Sequence, residues 1–299
     1  MREFQSTDMN AENQAIRVVE GNSHVVFDSP HSGVFYPDDF QPACDLSLLR
    51  QAEDTHVEKL FEFAPRMGIG WVEAVFPRSY IDVNRAPSEI DTDMLDGPWP
   101  DVFGIVAPSG KVRLGKGLVW RCLDDGTPIY RRRLSTREVE NRIQVCWYPY
   151  HEALSNLIQA AHQRHRFVIH INCHSMPSKA GPMSTDFPGI SHPDFVLGDR
   201  DGTTASSELT RRMSEHLRNY GFSVGVNHPY KGVEIVRRCG QPRRGVHSIQ
   251  LEINRALYMN EATLEMHQGA SGLKEVLRVM AKQLLAERAQ GLAPRHDNL

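Results

Sequence analysis

The chain has 299 residues, of which 40% are hydrophobic and 24% are charged, and its formal net charge is -3. These values are typical of a globular protein that is large enough to bury a sizeable core. They exclude the overall positive field that attracts nucleic acids. No apolar run of the sequence approaches the roughly 20 residues that a membrane-spanning helix needs.

The cysteines are scattered along the chain and form no Cys-x-x-Cys pair, and their number, five, is odd. Such a set is typical of reduced thiols rather than of a disulfide framework or a cysteine-rich zinc site. The N-terminal segment lacks the apolar core of a signal peptide. We therefore expect a cytoplasmic protein with no nucleic-acid or membrane partner.

The first third of the chain alternates between strand and helix patterns. β-prone residues predict strands, and apolar residues at helical spacing predict one continuous amphipathic helix. The predicted elements are a strand at 24–28, a helix at 46–66 and a strand at 71–76.

A long region of little periodicity follows, at about 86–134. It is rich in Pro, Gly and Asp, and only short strands are expected in it, near Val112 and at 118–121. Structureless stretches of this length inside a compact domain are usually functional.

The remaining elements also alternate. Ser135 followed by Glu138 has the form of a capping box and predicts a helix to about His165, which Pro149 can kink or divide. After it come predicted strands at 167–173, 195–197, 224–227 and 248–253, and predicted helices at 206–220, before Gly221, and at 261–290. This alternation predicts an α/β fold, formed by a single domain over 1–299, with a mixed, largely parallel sheet flanked by helices on both faces.

Two histidines stand just beyond or at the end of predicted strands, and each is followed by a serine. They are His31, before Ser32, and His174, before Ser175. In open α/β sheets ligands bind beyond the carboxyl ends of the strands, so these two imidazoles can converge on one metal ion. The serine hydroxyls are expected to satisfy backbone groups in the turns rather than to touch the ion. His170 lies deeper in its strand, which favours a role in the core.

A divalent metal site of the catalytic kind usually takes a third protein ligand. Glu53 and Asp54 lie between the two histidines along the chain, in the predicted helical stretch. A carboxylate there can point at the strand ends, or it can simply be a surface charge. The pattern by itself leaves both carboxylates open as ligands.

The segment from Arg78 to Arg85 brings together two arginines, Asp82 and Asn84. Because arginine binds carboxylates in bidentate fashion, this group suggests a cradle for a substrate carboxylate. An ion pair between Asp82 and one of the arginines is the structural alternative, and we expect one arginine to be used in that way.

Glu252 lies between two apolar residues on a short predicted strand, where an unpaired charge would be costly. It is either paired, for example with Arg255, or used as a general base.

Several short motifs in this order resemble those of the N-formylglutamate amidohydrolase (deformylase) family, from about residue 24 to 260. They are Ser29-Pro-His-Ser-Gly33 with Tyr36-Pro37, Asp54-x-x-Val-x-x-Leu60, Arg78-x-x-Ile-Asp-x-Asn-Arg85, Pro149-Tyr-His151, Asn172-Cys-His-Ser175, Gly198-Asp199, Pro229-Tyr-Lys-Gly232 and Gln250-Leu-Glu-Ile-Asn-Arg255. That family in turn is similar to the zinc carboxypeptidases and aspartoacylases, which implies a zinc exopeptidase-like fold.

The resemblance implies a metal-dependent amidohydrolase that cleaves N-formyl-L-glutamate to formate and L-glutamate, as in histidine degradation. Val34 stands where carboxypeptidases carry a glutamate, so the third ligand beside His31 and His174 must come from elsewhere. The resemblance selects Asp54 rather than Glu53, because Asp54 matches the aspartate of the family. The ion would be Zn²⁺ or another divalent metal holding the attacking water.

The resemblance also implies roles for the residues around the ion. Glu252 would be the general base. A substrate carboxylate would be held by Arg85 or Arg78 together with Asn84, and Lys231 would supply a further cation to a diacid. The supporting residues would be Ser32, Asp82 and Ser175.

Two other functions fit the same residues. One is hydrolysis of another N-acyl amino acid or small amide on the same metal site. The other is a metal-dependent binding module without turnover, against which Glu252 and the strand-end histidines argue. The sequence indicates no particular oligomeric state.

Overall fold

A computed structural model describes residues 15–182 and 188–292 of the chain. Its strands are β1 (Ile16–Val19), β2 (Val25–Ser29), β3 (Gly70–Ala74), β4 (Val168–Met176), β5 (Phe195–Gly198), β6 (Val224–Val226) and β7 (Val246–Asn254). Its α-helices are α1 (Leu46–Leu49), α2 (Val57–Leu60), α3 (Gly110–Arg113), α4 (Thr136–Arg142), α5 (Tyr148–His165), α6 (Ser207–Asn219), α7 (Glu234–Cys239), α8 (Gly269–Ala286) and α9 (Ala289–Leu292).

The strands form one seven-stranded sheet in the order β1-β3-β2-β4-β7-β5-β6. The pairs β2–β3, β2–β4, β4–β7 and β5–β6 are parallel, whereas β1–β3 and β5–β7 are antiparallel. One apolar core packs α2, α6 and α8 against one face of the sheet, and a second core packs α4 and α5 against the other. The predicted fold class is therefore confirmed.

The central strands β4 and β7 are buried along their whole length, which suits their β-branched and apolar residues. Cys173 packs into the first core with Ile171 and Leu251. Because alternate strand residues face opposite sides, His174 and Asn172 are directed away from that core. In the described residues, none of the helices is both long enough and apolar enough to cross a membrane.

The prediction of one helix over 46–66 is wrong. The chain instead forms α1 and α2, joined by a turn in which Glu53 is extended and His56 is left-handed, with φ 68°. The apolar residues follow helical spacing because they serve two cores. Leu49 packs on one side of the sheet and Leu60 on the other, which a single straight helix cannot achieve.

Two other predictions needed correction. Val112 lies in the short helix α3, and 118–121 contributes only an isolated bridge between Lys116 and Trp120, so neither forms a strand. The last long helix begins at Gly269 rather than at 261 and ends at Ala286.

The helix after Ser135 is divided by a π-helical turn, Ile143–Trp147, just before Pro149. The side chain of Ser135 caps it by accepting from the backbone N–H of Glu138.

Candidate active site

The carboxyl ends of three neighbouring strands position the predicted site. His31 follows β2, and His174 lies near the end of β4. In the β4–β7 ladder His174 is the direct partner of Glu252. Directly paired residues point to the same face, so the parallel pairing brings a histidine and a glutamate together from positions 78 residues apart.

His31, Asp54 and His174 form one buried cluster. The possible ligand atoms of these residues all lie within 4.8 Å of one another. Oδ2 of Asp54 lies 2.9 Å from Nδ1 of His174 and 3.4 Å from Nδ1 of His31. The predicted convergence of two imidazoles and one carboxylate is present in the structure, and Asp54 is the carboxylate.

The second ring nitrogen of each histidine has a fixed partner. Nε2 of His31 lies 2.7 Å from Oδ1 of Asp82, and Nε2 of His174 lies 2.7 Å from Oδ1 of Asn172. Both oxygens only accept, so in the neutral imidazoles Nε2 donates and Nδ1 keeps a lone pair. Nδ1 of His31 is buried without a hydrogen-bond partner.

Two ring lone pairs and one carboxylate oxygen therefore face the same point. Electron-pair donors that converge without a hydrogen between them repel unless a cation lies there, so the donor set fits a metal ion. Imidazole nitrogen and carboxylate oxygen are ligands that zinc accepts. Hydrogen bonds from Nε2 to Asp82 and Asn172 are the usual supports of metal-binding histidines.

Two arginines contact Oδ1 of Asp54, the carboxylate oxygen that does not face the histidines. Nη2 of Arg255 donates to Oδ1 at 3.1 Å, and Nη1 of Arg78 lies 3.4 Å from the same oxygen. Burial raises the pKa of Asp54, but the neighbouring His174 and His31 rings and the Arg78 charge outweigh it and hold that pKa well below the usual value. Asp54 is therefore an anion ready to act as a ligand.

Asp82 joins the histidine cluster to the arginine segment. It accepts from Arg78 at 3.2 Å and from the indole N–H of Trp120 at 3.3 Å, besides its contact with His31. Burial raises its pKa, but the neighbouring His31 ring and the Arg78 and Arg85 charges more than offset this and hold the pKa well below normal. The expectation that one arginine pairs with Asp82 is confirmed for Arg78.

Glu252 is not paired with Arg255, whose guanidinium contacts Asp54 and Ser175. Its carboxylate accepts from the side-chain amide of Gln250 at 2.8 Å. Burial raises the pKa of Glu252, and the nearby Asp54 charge adds to this, against the opposing effect of His174. Among the described residues no cation forms an ion pair with it, and a buried carboxylate with a raised pKa of this kind is suited to moving protons.

Glu53 lies outside the cluster. Its carboxylate accepts from the hydroxyls of Tyr36 at 2.6 Å and Thr55 at 3.4 Å. The oxygens are thus used in a local hydrogen-bond network, which leaves Asp54 as the carboxylate beside the histidines. Ser32 exchanges a 2.7 Å hydrogen bond with the hydroxyl of Ser29 at the turn after β2, a side-chain partner rather than the backbone group expected from the sequence.

A pocket of about 320 Å³ opens beside the cluster. Of the residues singled out from the sequence, those that line it are His31, Arg78, Asn84, Arg85, His174, Ser175, Lys231 and Glu252. Asn84 is fixed by accepting from the backbone N–H of Ile235 at 2.9 Å. Arg85 donates to the carbonyls of Asn84 and Lys116, at 2.8 and 3.1 Å.

Sequence reasoning missed other residues of this pocket. Lys111, Lys116 and Trp120 come from the irregular region 86–134 and line the same cavity. Gln250 and Asn172 lie within motifs that were recognised in the sequence, but no role was predicted for either residue. The local sequence offers no spacing signal for Lys111, because only the path of the irregular region brings it to the strand ends.

A mixed α/β sheet that gathers two histidines and two carboxylates at a cation-lined pocket has the composition of a hydrolytic enzyme site. The sequence model of the N-formylglutamate amidohydrolase family matches residues 23–259, which is most of the chain. The chain belongs to this family and is an enzyme that hydrolyses an amide.

Individual relatives agree with this assignment. The N-formylglutamate deformylases of Pseudomonas aeruginosa and Pseudomonas putida are 26% and 27% identical, over 89% of this chain and 94% and 92% of their own lengths. The crystal structure of N-formylglutamate amidohydrolase from Ralstonia eutropha JMP134 has a TM-score of 0.83 at 41% identity, covering 92% of this chain and 98% of that one. Atu2144 from Agrobacterium tumefaciens, at 18% identity and a TM-score of 0.66 over 93% of this chain and 96% of its own, shares the fold.

Proposed function

We propose that this enzyme hydrolyses N-formyl-L-glutamate to formate and L-glutamate, using a divalent metal ion. The observation that carries the proposal is the convergence of His31, Asp54 and His174 within 4.8 Å at the edge of a cation-lined pocket. Relatives named for this reaction support the choice of substrate.

His31, Asp54 and His174 would hold the ion, through Nδ1 of each ring and Oδ2 of the carboxylate. A bound Zn²⁺ ion would acidify water and polarise the amide carbonyl. Asp82 and Asn172 keep the two rings turned so that Nδ1 faces the cluster. Arg78 and Arg255 keep Asp54 charged and in place.

Glu252 would act as the general base and then as the general acid. It would take a proton from the attacking water as the water oxygen bonds to the formyl carbon. It would then deliver that proton to the amide nitrogen as the carbon–nitrogen bond breaks, releasing formate and the free amine. Such proton transfer typically contributes ~10²–10⁴-fold to the rate.

Arg85 would bind a carboxylate of the substrate. Among the residues that the structure describes, no carboxylate lies within 4.0 Å of its guanidinium, although Arg85 is only 4% exposed. Its hydrogen bonds to the two carbonyls fix the guanidinium at the pocket wall. A planar cation held in this way suits a carboxylate ligand.

A substrate panel tests the proposal. Metal-loaded protein is assayed with N-formyl-, N-acetyl- and N-succinyl-L-glutamate and with a glutamyl dipeptide, and release of the free amine is followed. We expect the formyl compound to have the highest kcat/KM. Faster hydrolysis of another N-acyl compound would transfer the proposal to that substrate, and no hydrolysis of any by metal-loaded protein would favour a binding module.

A further inference from the structure

Lys111 is a cation of the pocket that the proposed mechanism does not use. It lies on α3, in the irregular region, is partly buried, and lines the same cavity as Glu252 and Arg85. Within the described parts of the chain, no carboxylate oxygen lies within ion-pair distance of its ammonium group. The ammonium group lies over the ring of Tyr230, with Nζ 5.9 Å from the ring centroid.

The charges that face Lys111 come from other elements. Arg85 and Arg78 repel its ammonium group, while Glu252 and Asp82 attract it less strongly. Burial and the two arginines lower the pKa of Lys111 to about 8. A half-buried ammonium beside two repelling arginines is unfavourable in the free enzyme, and an anionic ligand would relieve this.

The other cations of the pocket already have partners. Arg78 and Arg255 contact Asp54, and Lys116 contacts Asp124. Two further cations of the pocket, Lys231 and Arg200, also have partners. Lys231, 57% exposed, pairs with Asp201 at 3.2 Å, and Arg200 donates to the carbonyl of Gly232 at 3.0 Å.

Arg85 and Lys111 therefore remain as two cations without a carboxylate partner in the described residues. An N-acylated dicarboxylic amino acid carries two carboxylates beside its amide. A substrate with one carboxylate would leave one of the two cations uncompensated, which is costly in a desolvated site. The charge balance of the pocket thus matches a dianionic substrate.

We propose that Lys111 binds the side-chain carboxylate of the substrate and sets a preference for N-acylated dicarboxylic amino acids, while Arg85 binds the other carboxylate. This inference rests on the proposed function for its reaction. It assigns to Lys111, rather than to the exposed and paired Lys231, the recognition of the second negative charge.

The test compares N-formyl-L-glutamate with N-formyl-L-glutamine, which has nearly the same shape but lacks the second charge. Lys111→Met is expected to lower kcat/KM for the glutamate substrate by roughly 10- to 100-fold, the loss typical of removing one charge from a hydrogen-bonded ion pair. The glutamine substrate should change by less than about threefold. Because the ratio is measured within one preparation, it does not depend on the folded fraction.

Two variants serve as controls. Arg113→Met removes a positive charge from the same helix, but Arg113 is exposed and does not line the pocket, so the ratio should stay as in the wild type. Lys111→Arg keeps the charge and should restore most of the preference. An equal fall for both substrates in Lys111→Met, or an unchanged ratio, would overturn the assignment.

A binding measurement separates this inference from the proposed function. Calorimetry with metal-loaded protein compares L-glutamate with L-glutamine and needs no turnover. A preference for glutamate that Lys111→Met abolishes supports the inference even if N-formyl-L-glutamate is not hydrolysed. Equal binding of the two ligands by the wild type would overturn it, whatever the hydrolysis assay shows.

Discussion

Oδ1 of Asn172 lies 2.7 Å from Nε2 of His174, and this contact decides which ring nitrogen faces Asp54. The amide of Asn172 is itself oriented, because its Nδ2 donates to both carboxylate oxygens of Asp28 at 3.0 Å. Asp28 is completely buried and also accepts from Tyr150 at 2.6 Å. A buried network beneath the pocket thus holds one predicted metal ligand in its binding orientation.

We expect Asn172→Leu to weaken zinc affinity by about 10- to 100-fold, the usual effect of removing a group that supports a ligand. The reason is that Nε2 of His174 loses its acceptor and the ring is no longer held. The measurement is the zinc dissociation constant from competition with a chelating dye. Cys173→Ala, which changes the neighbouring residue on the opposite face, should leave the constant unchanged. An unaltered affinity in Asn172→Leu would show that the contact does not orient the ring.

Zinc should stabilise the wild-type protein and fail to stabilise His31→Ala. A ligand that binds only the folded state adds about 2.7 kcal/mol to the free energy of unfolding at 100 times its dissociation constant. The thermal midpoint with and without zinc measures this effect. His162→Ala, at a half-buried histidine that does not line the pocket, is the control and should keep the full shift. An equal shift in His31→Ala would place the metal elsewhere.

Glu252→Gln should retain zinc but lose at least about 100-fold in kcat, because the amide cannot take a proton from water. The KM should change little, since the substrate carboxylates are held by other residues. Zinc content and steady-state kinetics check both parts. Glu73→Gln changes another buried glutamate, on β3, and should leave kcat near the wild-type value. Full activity in Glu252→Gln would remove it from the proposed mechanism.

The preference for N-formyl-L-glutamate over N-formyl-L-glutamine should fall as the pH rises through about 8. Burial and the Arg85 and Arg78 charges place the pKa of Lys111 there, so its ammonium is charged below this pH and neutral above it. The carboxylate of a bound substrate stabilises the charged form of Lys111 and so raises its pKa in the complex. The fall through about pH 8 is therefore expected in kcat/KM, which reports on the free enzyme. Burial, with the Lys111 and Arg78 charges, also lowers the pKa of Lys116 to about 8.

The pH profile of Lys111→Met separates these two lysines. If Lys111 causes the fall, the ratio in this variant should be low and independent of pH. Arg113→Met should follow the wild-type profile. A wild-type ratio that is flat between about pH 6.5 and about pH 9.5 would contradict the assignment.

Arg142→Leu should reduce the free energy of unfolding by roughly 3–5 kcal/mol, because it breaks a buried charge network. Arg142 is completely buried and donates to the carbonyl of Tyr80 at 3.0 Å, to the hydroxyl of Tyr130 at 2.7 Å and to Glu138 at 2.6 Å. These bonds attach the irregular region to α4. Urea denaturation measures the loss, and Arg137→Leu, at an exposed position of the same helix, should stay within about 0.5 kcal/mol of the wild type. A comparable loss in both variants would contradict this role of the network.

Features that depend on neighbouring residues could be predicted from the sequence. The Ser135 cap forms as expected, and a second serine, Ser206, accepts from the backbone N–H of Leu209 at the start of α6. Gly221 adopts the left-handed conformation after that helix, with φ 87°. The strand ends that carry His31 and His174 were also recognisable, because β-prone runs and the turn residues after them are local signals.

The break between α1 and α2 could not be predicted, because it depends on a contact with another strand. The backbone N–H of Asp54 donates to the carbonyl of His31 at 3.0 Å, which ties this turn to the end of β2. The apolar spacing of 46–66 has the period of a helix even though its residues divide between two cores. Hydrophobic periodicity indicates which residues are apolar, but it does not indicate against which face of the sheet each one packs.

The sequence by itself determined the α/β alternation, the strand-end histidines and the candidate carboxylates, because these follow from periodicity and turn chemistry within short windows. Only the tertiary structure placed the carboxylate of Asp54, and not that of Glu53, beside the histidines, paired Arg255 with Asp54 rather than with Glu252, and brought Lys111 to the pocket. Those outcomes join residues up to 201 positions apart. Burial and charge balance at such contacts arise only when the whole sheet is assembled.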